Sequence, residues 1–155
     1  MKGHADIIKT LNDLLAEELT AINQYMVHSE MCDNWGFEKL HKAIEKQAID
    51  EMKHAESLIA RILFLEGSPT VSRLNQINIG KTVGEMLGND LDAEAHAVKM
   101  YNDAVQQAQS LRDEGTRDLL RQILHDEEEH LDWDEQQRDL IEQMGIENYL
   151  ASQTS

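Results

Sequence analysis

The sequence predicts an all-α protein: a four-helix bundle with one long crossover between its second and third helices and a short fifth helix at the C-terminus. Three observations predict it. Pro69 is the only proline in 155 residues, so long helices can run uninterrupted. Aromatic residues make up only 5% and helix formers dominate, which disfavours a β architecture. Four long stretches repeat apolar residues at intervals of three and four, the helical period.

The first helix is expected over residues 5–34, with an apolar stripe through Leu11, Leu14, Ile22 and Tyr25; "DNWGF" breaks it. The second spans 38–65 through Ile44, Ala48, Ala55, Ile62 and Leu65. "EGSP" ends it, with Gly67 as C-cap and Pro69 just beyond. The third spans 82–111 through Met86, Leu87, Leu91, Val98, Tyr101 and Val105, and "RDEGTR" breaks it. The fourth spans 115–143 through Leu120, Ile123, Leu131 and Ile141, and Gly145 stops it. "IENYLASQ" makes the short fifth helix over 146–152. The first and third connections are short, so each joins an antiparallel hairpin. The middle connection covers residues 66–81. Extended, it reaches about 50 Å, and a 28-residue helix is about 42 Å long. It can therefore cross the whole bundle and set the second and third helices parallel. One domain over residues 1–155 is expected.

Net charge is −16, the wrong sign for binding nucleic acid. It suits the attraction of cations, and equally it suits solubility. No run of about 18 apolar residues could span a membrane, and "MKGHADIIKT" lacks the apolar core of a signal peptide. Cys32 is alone, so no internal disulfide forms, and a reducing, cytoplasmic location is expected.

Each helix carries a carboxylate on or beside its apolar stripe: Glu18, Glu51, Glu94 and Glu127. Burying four unpartnered carboxylates is expensive, and a pair of divalent metals would compensate them. The spacing sharpens this. Glu18 to Glu51 and Glu94 to Glu127 are both 33 residues. Glu18 to Glu94, Glu51 to Glu127, His54 to His130 and Tyr25 to Tyr101 are all 76. The two hairpins thus carry one ligand pattern twice, as a twofold-symmetric centre requires. Glu51 with His54, and Glu127 with His130, form E-x-x-H pairs, whose side chains share a helix face and can reach one ion. Glu38 and His41 form a third such pair, but position 117 is Arg117 and the pattern is not repeated. His4, His28, His41, His96 and His125 also lack the register and read as surface or packing residues. Tyr25 and Tyr101 either hydrogen-bond a carboxylate of the opposite hairpin or simply fill the core. Trp133 reads as core packing near the site.

Met52 follows Glu51 by one position and so points about 100° from the ligand face. Beside Leu19, Ile22 and Met26, it belongs either to a subunit interface or to a site for haem iron, which a thioether can ligate. The segments "MKG", "ELTAINQY", "NWGFEKL", "IDEMKHAE", "RILFLEG", "DEEEHLDW" and "MGIENYLASQ" resemble the bacterioferritins along essentially the whole chain. The resemblance implies a ferritin-like bundle with two iron ions per subunit, held by Glu18, Glu51, His54, Glu94, Glu127 and His130. It also implies haem b, one per two subunits, held by Met52 from each, and a homo-oligomeric shell of 24 chains built from dimers. Three positions depart from the family pattern. Leu58 stands where many members have tyrosine, Lys46 where some have an iron-binding histidine, and Asp134 where an apolar residue is usual.

The function expected is iron storage and detoxification. A ferroxidase would oxidise Fe2+ with O2 or H2O2, a ferric mineral would collect in the shell, and a small ferredoxin would drive its release. The alternatives are a diiron or dimanganese peroxidase of the rubrerythrin type, a haem-free bacterial ferritin, and an acidic helical interaction protein without metal. A lone cysteine forbids the appended C-x-x-C iron site of the first.

Overall fold

A computed structural model describes all residues from 1 to 155. It contains five helices and no strand: α1 (Ala5–Asn34), α2 (Glu38–Phe64), α3 (Val83–Ser110), α4 (Glu114–Met144) and α5 (Ile146–Ala151). The fold class expected from the sequence is the one observed.

Side chains open three helices. His4 accepts from the Asp6 N–H, Thr82 from the Glu85 N–H and Asp113 from the Thr116 N–H, each satisfying a backbone donor that the first turn leaves free. The first three helices close alike, with a left-handed residue and a bond reaching back five positions. Phe37 N–H donates to Cys32 O, Gly67 N–H to Ile62 O and Asp113 N–H to Ala108 O, all at 2.9 Å. The left-handed residues are Gly36, Glu66 and Arg112. The second corrects the expectation from sequence, because Glu66 rather than Gly67 turns the chain. Gly67 is needed for space: a Cβ there would lie 2.7 Å from Ile8 Cγ2. No helix is long and apolar enough to cross a membrane.

α1 packs along α2 and α3 along α4, while α1 faces α3 and α2 faces α4. The connection between α2 and α3 climbs beside α1. Asn12 bonds Ser68 and Thr70, Asp13 pairs with Arg73, Thr20 accepts from Asn75, Gln24 from Asn78 and His28 from Gly80. Each step up α1 meets a later residue of the crossover, so α2 and α3 run parallel. At the top, a Cβ on Gly80 would lie 2.4 Å from the Met86 backbone nitrogen. Only glycine lets the crossover enter α3 there.

The core is split. One apolar cluster, including Leu11, Leu58, Ile62 and Leu120, fills the end near the α3–α4 turn. A second, including Leu40, Ile44, Met86 and Tyr149, fills the end capped by α5. Each fully buried Leu or Ile contributes about 1.5–3 kcal/mol. Between the clusters lies a buried layer of acids and histidines. α4 departs from the expected stripe here. Leu131 is only half-buried, and the inward positions are taken by Asp134 and Gln137, the latter accepting the Tyr149 hydroxyl at 2.7 Å. The ligand register on α4 sets its rotation, and that carries Leu131 off the core face.

Candidate metal centre

The six residues singled out by the repeat meet at the middle of the bundle. Glu18 comes from α1, Glu51 and His54 from α2, Glu94 from α3, and Glu127 and His130 from α4. All are buried. They form two overlapping groups whose ligand atoms lie within 4.8 Å of one another: Glu18, Glu51, His54 and Glu127, then Glu51, Glu94, Glu127 and His130. Glu51 and Glu127 belong to both.

The halves match atom by atom. His54 Nδ1 is 2.9 Å from Glu127 and 3.5 Å from Glu18. His130 Nδ1 is 2.9 Å from Glu51 and 3.5 Å from Glu94. Each Nδ1 therefore sits closest to the shared carboxylate of the other hairpin. Tyr101 donates its hydroxyl to Glu18 and Tyr25 donates its own to Glu94, both at 2.5 Å. Of the two roles open to these tyrosines, the hydrogen bond across hairpins is the observed one.

Two residues that the sequence reading did not assign to this centre orient the rings. His54 Nε2–H donates to Asp126 at 2.8 Å and His130 Nε2–H to Asp50 at 3.0 Å. These bonds turn both Nδ1 atoms inward, the arrangement by which outer carboxylates fix metal-binding imidazoles. A signal existed, since Asp50 and Asp126 are also 76 apart and directly precede Glu51 and Glu127. Lys46 pairs with Asp50 at 3.0 Å on the exposed side. Trp133 is half-buried and packs against the second apolar cluster. Leu58 lies in the first cluster, fully buried.

The electrostatics are those of a site awaiting positive charge. Burial, and then the charges of the other carboxylates, push Glu51 and Glu127 well above the usual range. Burial would lower His54 and His130, but the negative carboxylates of Glu127, Glu18 and Glu94 close to the rings outweigh it, raising them to about 11 and about 9. Seven inward atoms still have no hydrogen bond: one oxygen each of Glu18, Glu51 and Glu94, both oxygens of Glu127, and both inner imidazole nitrogens. So many orphaned, buried polar atoms in one place are rare in folded proteins. Oxygen and imidazole donors of this kind suit iron, manganese or zinc.

Two clefts reach the centre. One, of about 290 Å³, opens between α1, α3 and the crossover, past Glu17, Asp92 and His96, and ends at Glu18, Glu51 and Glu127. The other lies between α2 and α4 and is lined by Asp50, Asp126 and Glu129 beside His130. On the outer flank, Met52 is 46% exposed and Met26 49% exposed.

Comparison with known proteins finds relatives along nearly the whole chain. The ferritin-like domain family matches residues 8–144. A bacterial ferritin of Synechocystis is 46% identical over 156 residues, covering 100% of both chains. A bacterial ferritin of Pseudomonas aeruginosa is 44% identical, with 99% of each chain covered. A bacterioferritin of Mycolicibacterium paratuberculosis is 40% identical over 97% of this chain and 95% of its own.

Proposed function

This chain belongs to the ferritin-like iron-storage family, among the bacterioferritins and bacterial ferritins, and we propose that its buried centre is a ferroxidase. The observation that carries the reading is the twofold set of orphaned carboxylate and imidazole atoms, which a pair of divalent cations would satisfy. Two Fe2+ are the substrate. Glu51 and Glu127, common to both groups, would bridge them. Glu18 with His54 would complete one position, and Glu94 with His130 the other. Four carboxylates balance the charge of two Fe2+. The same negative field favours Fe3+, so it assists loss of an electron from each iron to O2 or H2O2. Tyr25 and Tyr101 hold Glu94 and Glu18, and Asp50 and Asp126 hold the two rings, so little rearrangement is needed when the metal arrives.

The ferric product would collect inside a shell of 24 such chains in the cytoplasm. Met52 fits haem b: its thioether stands exposed on the outer face, one turn from the exposed Ile49 on α2. A second copy of the same face would bring a second Met52 thioether and the rest of the apolar cover. Bound haem would supply an electron route for reducing the mineral, with a small ferredoxin as donor. The second reading is a haem-free bacterial ferritin with the same iron centre.

The test is aerobic loading of the purified protein with Fe2+. Retention of thousands of iron atoms by a particle of 24 chains supports storage. Turnover of peroxide without retained iron would instead indicate a peroxidase. Glu51→Ala should abolish the tight binding of two metals per chain. A Soret band of one haem per two chains, lost in Met52→Leu with iron oxidation unchanged, assigns the haem; its absence from haem-supplemented preparations favours the haem-free form.

A further inference from the structure

The halves of the centre agree at every ligand and disagree one turn further out. Beyond Glu18 and His54, the next layer is Leu14, Leu58, Ala104 and Ile123. The 76-residue register carries these positions onto Asp90, Asp134, His28 and Gln47, the layer beyond Glu94 and His130. None of the eight is more than 5% exposed. One flank of the centre is hydrocarbon, while the matching flank is polar and acidic.

No lysine or arginine pairs with Asp90 or Asp134. Asp90 Oδ1 accepts from Gln24 Nε2 at 2.8 Å and lies 2.8 Å from His28 Nδ1. His28 accepts the Gly80 N–H at Nε2, so it offers Nδ1–H to Asp90 as an uncharged ring. Asp90 Oδ2, both oxygens of Asp134 and Gln47 Oε1 have no partner at all. Glu94, Asp90 and His130 are the charged groups that Asp134 feels, and Gln47 faces it from α2. Burial first, then Glu94 and Asp90, push Asp134 up to about 9. An unpartnered buried acid of this kind is stabilised by any positive charge that settles a turn away.

We infer that the two metal positions are unequal: Asp134 and Asp90 make the Glu94–His130 position the tighter for a divalent cation, and the first to fill. The inference rests on reading the centre as metal-binding. A cation arriving at the Glu94–His130 position draws the proton from Asp134, and attraction between it and the resulting carboxylate is strong where water is absent; the leucine flank supplies none of it. Asp134 acts through the field at its neighbours' metal position, which makes it a positioning residue.

Cobalt(II) tests this, because its visible spectrum reports ligation and it is not oxidised in the assay. The full-length apo protein is titrated by absorption and by calorimetry. The expected result is two binding steps per chain separated by about tenfold, the scale of one nearby charge in a medium of intermediate dielectric. At one Co2+ per chain, anomalous scattering from crystals should place the ion beside His130. Asp134→Leu, which copies the Leu58 flank, should weaken only the first step and bring the two within about threefold of each other. Asp134→Asn guards against repacking and should act in the same direction. Two equal steps in the unsubstituted protein, the first ion beside His54, or an unchanged separation in both variants overturns the inference. Absence of any tight step in the unsubstituted protein would overturn the metal centre itself.

Discussion

Glu51 shows what a single residue does here. It is buried, shared by both halves of the centre, and pushed upward by burial and by three neighbouring carboxylates. Without metal it destabilises the bundle. Glu51→Leu is therefore expected to stabilise the metal-free protein by about 2 kcal/mol. It should also remove the rise in melting temperature that Zn2+ gives the unsubstituted protein. Calorimetric melting with and without Zn2+ checks both. Asp134 behaves alike with a clearer pH signature. Its ordinary value is 3.8 and burial raises it to about 9. Above 3.8 the unfolded chain has given up this proton while the folded chain keeps it, so stability falls as pH rises until about 9. The limiting slope is about 1.4 kcal/mol per pH unit. Asp134→Asn should thus gain little over the unsubstituted protein at pH 4.5 and most at pH 8, as read by denaturant midpoints across that range. The same gain at both pH values would contradict this.

At the scale of elements, the crossover between α2 and α3 decides the topology. It has no regular structure of its own, and side chains of α1 hold it at successive heights. Without that ladder, nothing would stop α3 from pairing with α2 as an antiparallel neighbour. Gly80 closes the ladder, where a methyl group would collide with the backbone at Glu85 and Met86. Gly80→Ala is expected to cost about 2–3 kcal/mol by displacing the entry to α3. It should also loosen the His28–Asp90 contact, since the Gly80 N–H bonds His28 directly. Hydrogen exchange should show faster opening at the start of α3 and unchanged protection in the α1–α2 turn. The lower end is held differently: Arg61 of α2 donates to Thr116 and Asp113 at the α3–α4 turn, tying the hairpins together.

At the scale of the whole molecule, the bundle is two apolar clusters joined across an acidic layer, so the middle of the core is its weak point until cations arrive. The pH dependence follows. Glu51 and Glu127 are raised, and each loses stability as pH rises above 4.5. His54 and His130 are raised too; their contribution is complete below 6.5 and is lost as pH rises through about 9 and about 11. All four act with one sign. The metal-free protein should melt at progressively lower temperature from pH 6 to pH 10, while the Zn2+-loaded protein should hold nearly level. A metal-free protein that gains stability with alkali would contradict this charge balance.

Much was determined by the sequence alone. The helical period, the single proline and the turn glycines define five helices, because these are local properties of a chain. The six-residue register was legible too, since burying four carboxylates twofold-symmetrically leaves an arithmetic trace. Other features were decided only in three dimensions. That Glu66 makes the left-handed turn, while Gly67 leaves room for Ile8, is visible only in the folded chain. That Asp126 orients His54, and Asp50 His130, depends on α2 and α4 facing each other at one height. The unequal flanks also needed the fold. Leu58 and Asp134 stand 76 residues apart in the sequence, but only packing shows both buried against opposite sides of one centre. A sequence records which residues share a helix face. Which faces meet, and what each buried charge then feels, is set by distances between segments far apart in the chain.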